Sequence, residues 1–233
     1  MNISFIESSN YILLKEAINE LKAKEKELMS AANMALFEGT FGTGKTWAIE
    51  RVAMEQENSI VYWVASDTWT KSSVIKKLAE ELGASGANTA ELFEDICDKQ
   101  RVEQRVIIID EVERILLGDK HKIAELFREL SDATSCVVVF IGMRGVGLKW
   151  KKWDHYHSRL QITKLSENTF EDIKAFCEMS DVEIEPDVIL SIYKKYNNFR
   201  LTKRVVEGLE KFCDEERLDV VDMKTYKLSK VDR

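Results

Sequence analysis

The chain has 233 residues, 45% of them apolar and 32% charged, with a single proline, a balance that excludes a disordered or fibrous polymer and fits a helix-rich globular protein of at most two domains. No stretch approaches the roughly 20 apolar residues that a bilayer span needs, and the first residues lack the basic, apolar and small-residue succession of an export signal, so a cytoplasmic protein without a membrane partner is expected. The net charge of −7 argues against a surface that grips nucleic acid everywhere, since phosphate binding rests on lysine and arginine, and leaves room for one local basic face.

Residues from about Asn10 to Ser30 carry Ile12, Leu13, Ala17, Leu21 and Leu28 among charges, which predicts an amphipathic helix and an amino-terminal element over 1–30. The run Met34-Ala-Leu-Phe-Glu38 is read as a strand, a helix is expected over Lys45–Gln56, and Ile60–Ala65, rich in β-branched and aromatic residues, gives a second strand. Ser72–Leu82 and Thr89–Gln104 each start at a capping residue and are read as helices, separated by Gly83 and Gly86. Val106–Asp110 and Cys136–Ile141 are almost unbroken apolar runs, as in strands covered on both faces of a parallel sheet. A helix over about Lys120–Ala133 lies between them, and Leu160–Leu165 is read as a fifth strand. After Ser166 the pattern changes to helices alone, over about Asn168–Met179, Pro186–Tyr196 and Leu201–Glu215. The fold class expected is α/β, with a parallel sheet flanked by helices over 31–165 and a small all-helical domain over 166–233.

The four cysteines, Cys97, Cys136, Cys177 and Cys213, are far apart and offer no metal-ligand spacing, so buried thiols are expected. His121, His155 and His157 have no partners at such spacing either.

Gly39-Thr40-Phe41-Gly42-Thr43-Gly44-Lys45-Thr46 fits G-x-x-x-x-G-K-[ST] at every fixed position, directly after a strand and directly before a helix. Glycines let the backbone fold so that successive N–H groups face a phosphate, and the helix amino terminus adds partial positive charge. ATP is the expected cofactor, with Lys45 on its β and γ phosphates and Thr46 on a Mg2+ ion. The strand Val106–Asp110 then delivers Asp110 and Glu111 at its carboxyl end, where open α/β sheets place ligands. Asp110 is expected to hold the magnesium and Glu111 to orient and deprotonate an attacking water, making the chain an ATP hydrolase.

Together with Phe140-Ile-Gly142-Met143, Ser158-Arg159-Leu and Asn198-Phe-Arg200, these motifs resemble the AAA+ ATPases, and within them the Mu B family of transposition proteins from Mu-like phages and transposons. The resemblance covers roughly residues 30–215. It implies a helical lid after the sheet domain. It also implies that Arg159 acts on the nucleotide of a neighbouring subunit and that Arg200 touches the phosphates from the lid, with Arg204 as the alternative. Arg159 also fits plain surface charge. At the strand end, where many AAA+ proteins carry a polar sensor residue, this sequence has Gly142 and Met143, and Arg144 is the nearest substitute.

Relatives of that family bind double-stranded DNA when loaded with ATP, assemble on it into rings or helical filaments, and recruit a transposase. The Mu B protein has an amino-terminal DNA-binding appendage, whereas about thirty residues precede the first strand here, so the ATPase module itself is expected to touch DNA. Between Arg144 and Lys164 there are six basic residues, Lys149, Lys151 and Lys152 among them, against one acid. Trp150, Trp153 and Tyr156 are interleaved, as in a patch that contacts the DNA backbone or in a solvated helix with tryptophans packed inward. Trp69 and Lys71, after the second strand, form a second candidate contact that would line a channel in an assembled ring or filament. Two other readings stand beside this one: a protein-remodelling or signalling ATPase that binds no DNA, and a loader of replication proteins.

Overall fold

The structure is a computed structural model that describes residues 5–24, 33–116, 121–150 and 160–231. In chain order the elements are α1 (Ser9–Lys24), β1 (Met34–Gly39), α2 (Lys45–Glu55), β2 (Ile60–Val64), α3 (Lys71–Leu82), α4 (Thr89–Glu103), β3 (Val106–Asp110), α5 (His121–Thr134), β4 (Val138–Met143), α6 (Val146–Trp150) and β5 (Leu160–Lys164). They continue with α7 (Phe170–Cys177), β6 (Glu183–Ile184), α8 (Pro186–Tyr196), α9 (Phe199–Glu216), β7 (Val220–Val221) and α10 (Met223–Ser229). Contacts divide the chain into two compact units. One holds Leu14–Gly39 and Ile49–Leu165; the other holds the residues up to Leu13, Thr40–Ala48 and the chain from Ser166 on. α1 and α2 each run from one unit into the other.

In the first unit five parallel strands pair in the order β2-β3-β4-β1-β5. The central strands β1 and β3 are buried at every position, which is what their apolar runs require. The outer strands β2 and β5 each show a partly exposed pattern. Leu36, Ile107, Ile109 and Phe140 share one cluster with Leu78 of α3, Ile96 of α4 and Phe127 of α5, while the alternate strand residues Ala35, Phe37, Ile108, Val139 and Ile141 are buried as well. Each large apolar side chain so placed contributes about 1.5–3 kcal/mol. Trp150 is 1% exposed and packs on Phe140 with ring centroids 4.8 Å apart, so this aromatic of the basic stretch is a core residue.

The fourth strand begins at Val138, two residues later than its apolar run suggests. Cys136 is taken up by the end of α5: its N–H donates to Thr134 Oγ1 at 3.2 Å and its carbonyl accepts from Ser131 Oγ at 2.9 Å. The strand then continues through Gly142 and Met143, which pair with Glu38 and Gly39. After it the chain turns at once into α6, a helix with no sequence signature of its own. Its start is built by Glu38, a carboxylate 5% exposed at the end of β1, whose Oε2 accepts the N–H groups of Gly145 at 3.1 Å and Gly147 at 2.9 Å. Glu38→Ala would leave both donors without that acceptor and is expected to cost about 2–3 kcal/mol of stability, read as a lower unfolding midpoint in denaturant. Glu38→Gln, which retains one acceptor, should cost less, and equal midpoints for the wild type and the alanine variant would refute this capping role.

The second unit is helical with one addition to the expected all-helical pattern: β6 and β7 pair as a two-residue parallel ladder, Glu183 with Val220 and Ile184 with Val221. Strands this short leave no periodic signal. α7 opens with a capping box in which Thr169 Oγ1 accepts the Asp172 N–H and the Asp172 carboxylate accepts the Thr169 N–H. The same carboxylate accepts from Ser9 N–H at 2.8 Å, fixing the start of α1 to this unit. The core holds Phe176, Ile192, Val206, Leu209 and Tyr226, with Ile6 packed against it.

All four cysteines are buried and free, and burial pushes the Cys177 thiol up to about 12. Among the described residues no helix is long and apolar enough to cross a membrane.

Candidate nucleotide site

β1 and β3 run parallel with β4 between them, so Gly39 and Asp110 end at the same edge of the sheet, about 10 Å apart at strand spacing. From Gly39 the chain enters the glycine loop, whose residues 40–48 belong to the helical unit. Gly42 has φ +75° and Gly44 φ +80°, left-handed values that L side chains rarely adopt. α2 begins directly after the loop, its ladder opening with the Ala48 N–H on Gly44 O at 2.8 Å. A helix amino terminus and consecutive turned peptides are the physical requirements of a phosphate cradle. Lys45 Nζ donates to Thr40 O at 2.6 Å and Thr43 Oγ1 to the same oxygen at 3.0 Å, which folds the lysine over the loop.

The carbonyls of the loop are held by Asn198 and Phe199 of the Asn198-Phe-Arg200 motif and by Asn168 and Asn10, which no motif announces. Phe41 O accepts from Asn198 Nδ2 at 2.7 Å. Gly42 O accepts from the Phe199 N–H at 2.9 Å and from Asn168 Nδ2 at 3.3 Å. Thr43 O accepts from Asn10 Nδ2 at 3.2 Å. Arg200, the second residue of α9, is exposed one residue beyond Phe199, and Arg204 is exposed one turn later. In the same unit Phe5, Ile6, Trp47, Ala48 and Phe199 line a small cleft beside Gly44.

In the sheet unit Asp110 is 2% exposed. Its Oδ1 accepts the Glu111 N–H at 2.7 Å, and the Tyr62 hydroxyl lies 3.4 Å from Oδ2. Burial and then the Asp110 charge raise the Glu50 carboxyl above its usual range; burial, Asp110 and Glu50 together raise the Tyr62 hydroxyl. Among the described residues no group of three or more His, Cys, Asp or Glu side chains could hold a metal ion by itself, so a magnesium ion beside Asp110 would draw most of its oxygen ligands from phosphate and water. Glu111 has φ +52°, a strained value for a non-glycine residue, and its carboxylate pairs with Arg114 in the short helix Val112–Ile115.

At the end of β4, a Cβ on Gly142 would meet Val112 Cγ1 at 2.9 Å and Glu113 Oε2 at 3.1 Å. Glu113 Oε2 accepts the Met143 N–H at 3.2 Å, and the Arg144 N–H donates to Gly39 O at 3.0 Å. The close approach of Val112 and Glu113 thus accounts for glycine at this strand end. Lys149 is exposed on α6. Trp69 is half-buried against Trp63, with Lys77 Nζ over both rings, and Lys71 pairs with Glu129 at 3.0 Å, so both engage the fold around them. Lys151, Lys152 and Arg159 lie outside the described residues.

A strand, a glycine-turned loop and a helix, with a second parallel strand ending in two acids, define a P-loop nucleotide-binding protein of the ATPase class. Residues 27–147 match the AAA domain family, and the chain belongs to it. Comparison with curated protein sequences gives no match. The fold is shared with the Aeropyrum pernix Orc1 protein solved in complex with DNA (TM-score 0.60, 15% identity, covering 97% of this chain and 66% of that one). It is shared also with the Thermotoga maritima RuvB Holliday junction branch migration motor (0.62, 16%, 95% and 68%) and with Cdc6p from Pyrobaculum aerophilum (0.64, 11%, 98% and 69%). The chain spans about two thirds of the length of these structures.

Proposed function

We propose that this AAA-type P-loop protein hydrolyses ATP and uses the ATP-bound state to hold double-stranded DNA, assembling on it as a ring or filament and regulating transposition through a transposase. The observation that carries the ATPase reading is the exit of the glycine loop and of the Asp110-Glu111 pair from one edge of one sheet. In this reading the loop N–H groups and Lys45 bind the β and γ phosphates, and Thr46 and Asp110 hold magnesium, which neutralises phosphate charge when bound. Glu111 orients a water and takes its proton as the water oxygen bonds to the γ phosphorus and the bond to the β–γ bridging oxygen breaks, giving ADP and phosphate. Arg200 and Arg159, the latter in trans, stabilise charge on the transferring group. The region from Ser166 acts as the lid.

DNA binding is supported by the fold shared with Orc1 solved in complex with DNA and with the RuvB branch migration motor. It is supported also by the six basic residues from Arg144 to Lys164, of which Arg144, Lys149 and Lys164 are exposed. The transposition role rests on the resemblance to the Mu B family. Fluorescence anisotropy with a random-sequence duplex at two salt concentrations tests the reading. Binding is expected with ATP, weaker with ADP or none, and falling steeply with salt; Lys149→Glu should lower the salt slope by about one phosphate contact. No binding in any nucleotide state would overturn it. That outcome would favour a protein partner, for which a cleft of about 690 Å3 beside β2, bordered by Glu50, Glu57 and Glu103 and by Glu81 paired with Arg105, offers a mainly acidic surface.

A further inference from the structure

A loop that turns its N–H groups toward a phosphate must turn carbonyls the other way, into the protein, where an unpaired oxygen is costly. Here three consecutive carbonyls, those of Phe41, Gly42 and Thr43, each accept from the side-chain amide of an asparagine, and the three asparagines come from separate segments of the helical unit. Asn10 and Asn168 are each 2% exposed and Asn198 is 8% exposed, so water competes little for these bonds.

Asn198 is used at both ends. Its Nδ2 donates to Phe41 O at 2.7 Å, while its Oδ1 accepts the N–H groups of Arg200 at 3.0 Å and Leu201 at 3.2 Å, capping α9. The following peptide joins in through the Phe199 N–H on Gly42 O. Loop and asparagine are fitted to each other, since a Cβ at Gly42 would run into the Asn198 amide. The bonds also differ in how replaceable they are. Asn198 supplies a short bond to Phe41 O; Asn10 divides its amide between Thr43 O and Ser166 O at 3.0 Å; Asn168 supports a carbonyl that Phe199 also serves.

We infer that Asn198, seconded by Asn10 and Asn168, is a positioning residue that holds the glycine loop in its phosphate-binding shape and sets the start of the arginine-bearing helix α9 through the same amide. This rests on the reading of the loop as a nucleotide site. The cap and the brace can be separated chemically: aspartate caps a helix as well as asparagine does but has no N–H for Phe41 O and sets a carboxylate against it. Asn198→Asp should therefore leave the start of α9 intact and release the loop.

The test is amide hydrogen exchange of the ligand-free chain, read for 40–44 and for 200–205, beside the affinity for a fluorescent ATP analogue. For Asn198→Asp the expected result is faster exchange in 40–44 and at the Phe199 N–H, which donates to Gly42 O, unchanged protection in 200–205 and ATP affinity lower by about tenfold or more. Asn10→Ala should show a smaller effect and Asn168→Ala the smallest, so that the order itself is checked by variants that disturb α9 less. Unchanged loop exchange in Asn198→Asp would overturn the brace, and a released loop with unchanged affinity would overturn its positioning role. A wild-type chain that binds no ATP would instead sink the nucleotide reading, with loop exchange still deciding whether the brace exists.

Discussion

Lys45→Ala is expected to weaken ATP binding by about a hundredfold or more while leaving the protein folded. The ammonium group supplies charge-assisted hydrogen bonds to phosphate oxygens in a loop otherwise made of neutral N–H groups, and loss of one such partner typically costs 2–5 kcal/mol. The structural cost is small. Lys45 is the first residue of α2, where alanine is at least as good a helix former. The bond it gives up, to Thr40 O, leaves that oxygen still paired with Thr43 Oγ1. Lys45→Arg should recover part of the affinity, because it keeps the charge but presents a planar fork on a different stem. Calorimetric titration of the three proteins with ATP and magnesium checks this, alongside their unfolding midpoints. Affinity within threefold of wild type in the alanine variant would show that the loop does not bind phosphate through this residue.

The parts that were legible in the sequence are those whose chemistry is local. The loop could be read because its fixed positions are adjacent and its flanks switch from an apolar run to a helical pattern. Asp110 and Glu111 stood out because Val106–Ile109 has no polar residue to interrupt it. Features that join distant segments left no such trace. Glu38 caps α6 across more than a hundred residues, and Asn198 reaches Phe41 across 157 positions; an asparagine before a helix reads simply as a cap. Trp150 was ambiguous between a stacking surface and the core because α6 has only five residues, too few for a period to show. Its burial against Phe140 settled by packing what spacing left open. The order of strands was likewise invisible, since β1 takes as neighbours β4 and β5, each more than a hundred residues further along the chain.

Glu111→Gln separates binding from chemistry. Glutamine matches glutamate in size and can adopt the same backbone, so Asp110 keeps the Glu111 N–H on its Oδ1 and the magnesium and phosphate contacts proposed for Asp110 and the loop are untouched. What is lost is the carboxylate that accepts a proton from water, a contribution worth about 10²–10⁴ in rate, together with its ion pair to Arg114. That pair lies on the surface and is worth at most about 1 kcal/mol, so stability should barely change. The expected outcome is an ATP affinity within a few-fold of wild type, phosphate release slowed by two orders of magnitude or more, and, where DNA is bound in the ATP state, a complex that persists because the nucleotide is not consumed. Single-turnover ADP formation, quenched in acid with enzyme in excess over ATP, isolates the chemical step from product release. Wild-type rates in that assay would mean that the water is activated by another group, and would remove Glu111 from the reaction while leaving the phosphate loop and Asp110 in place.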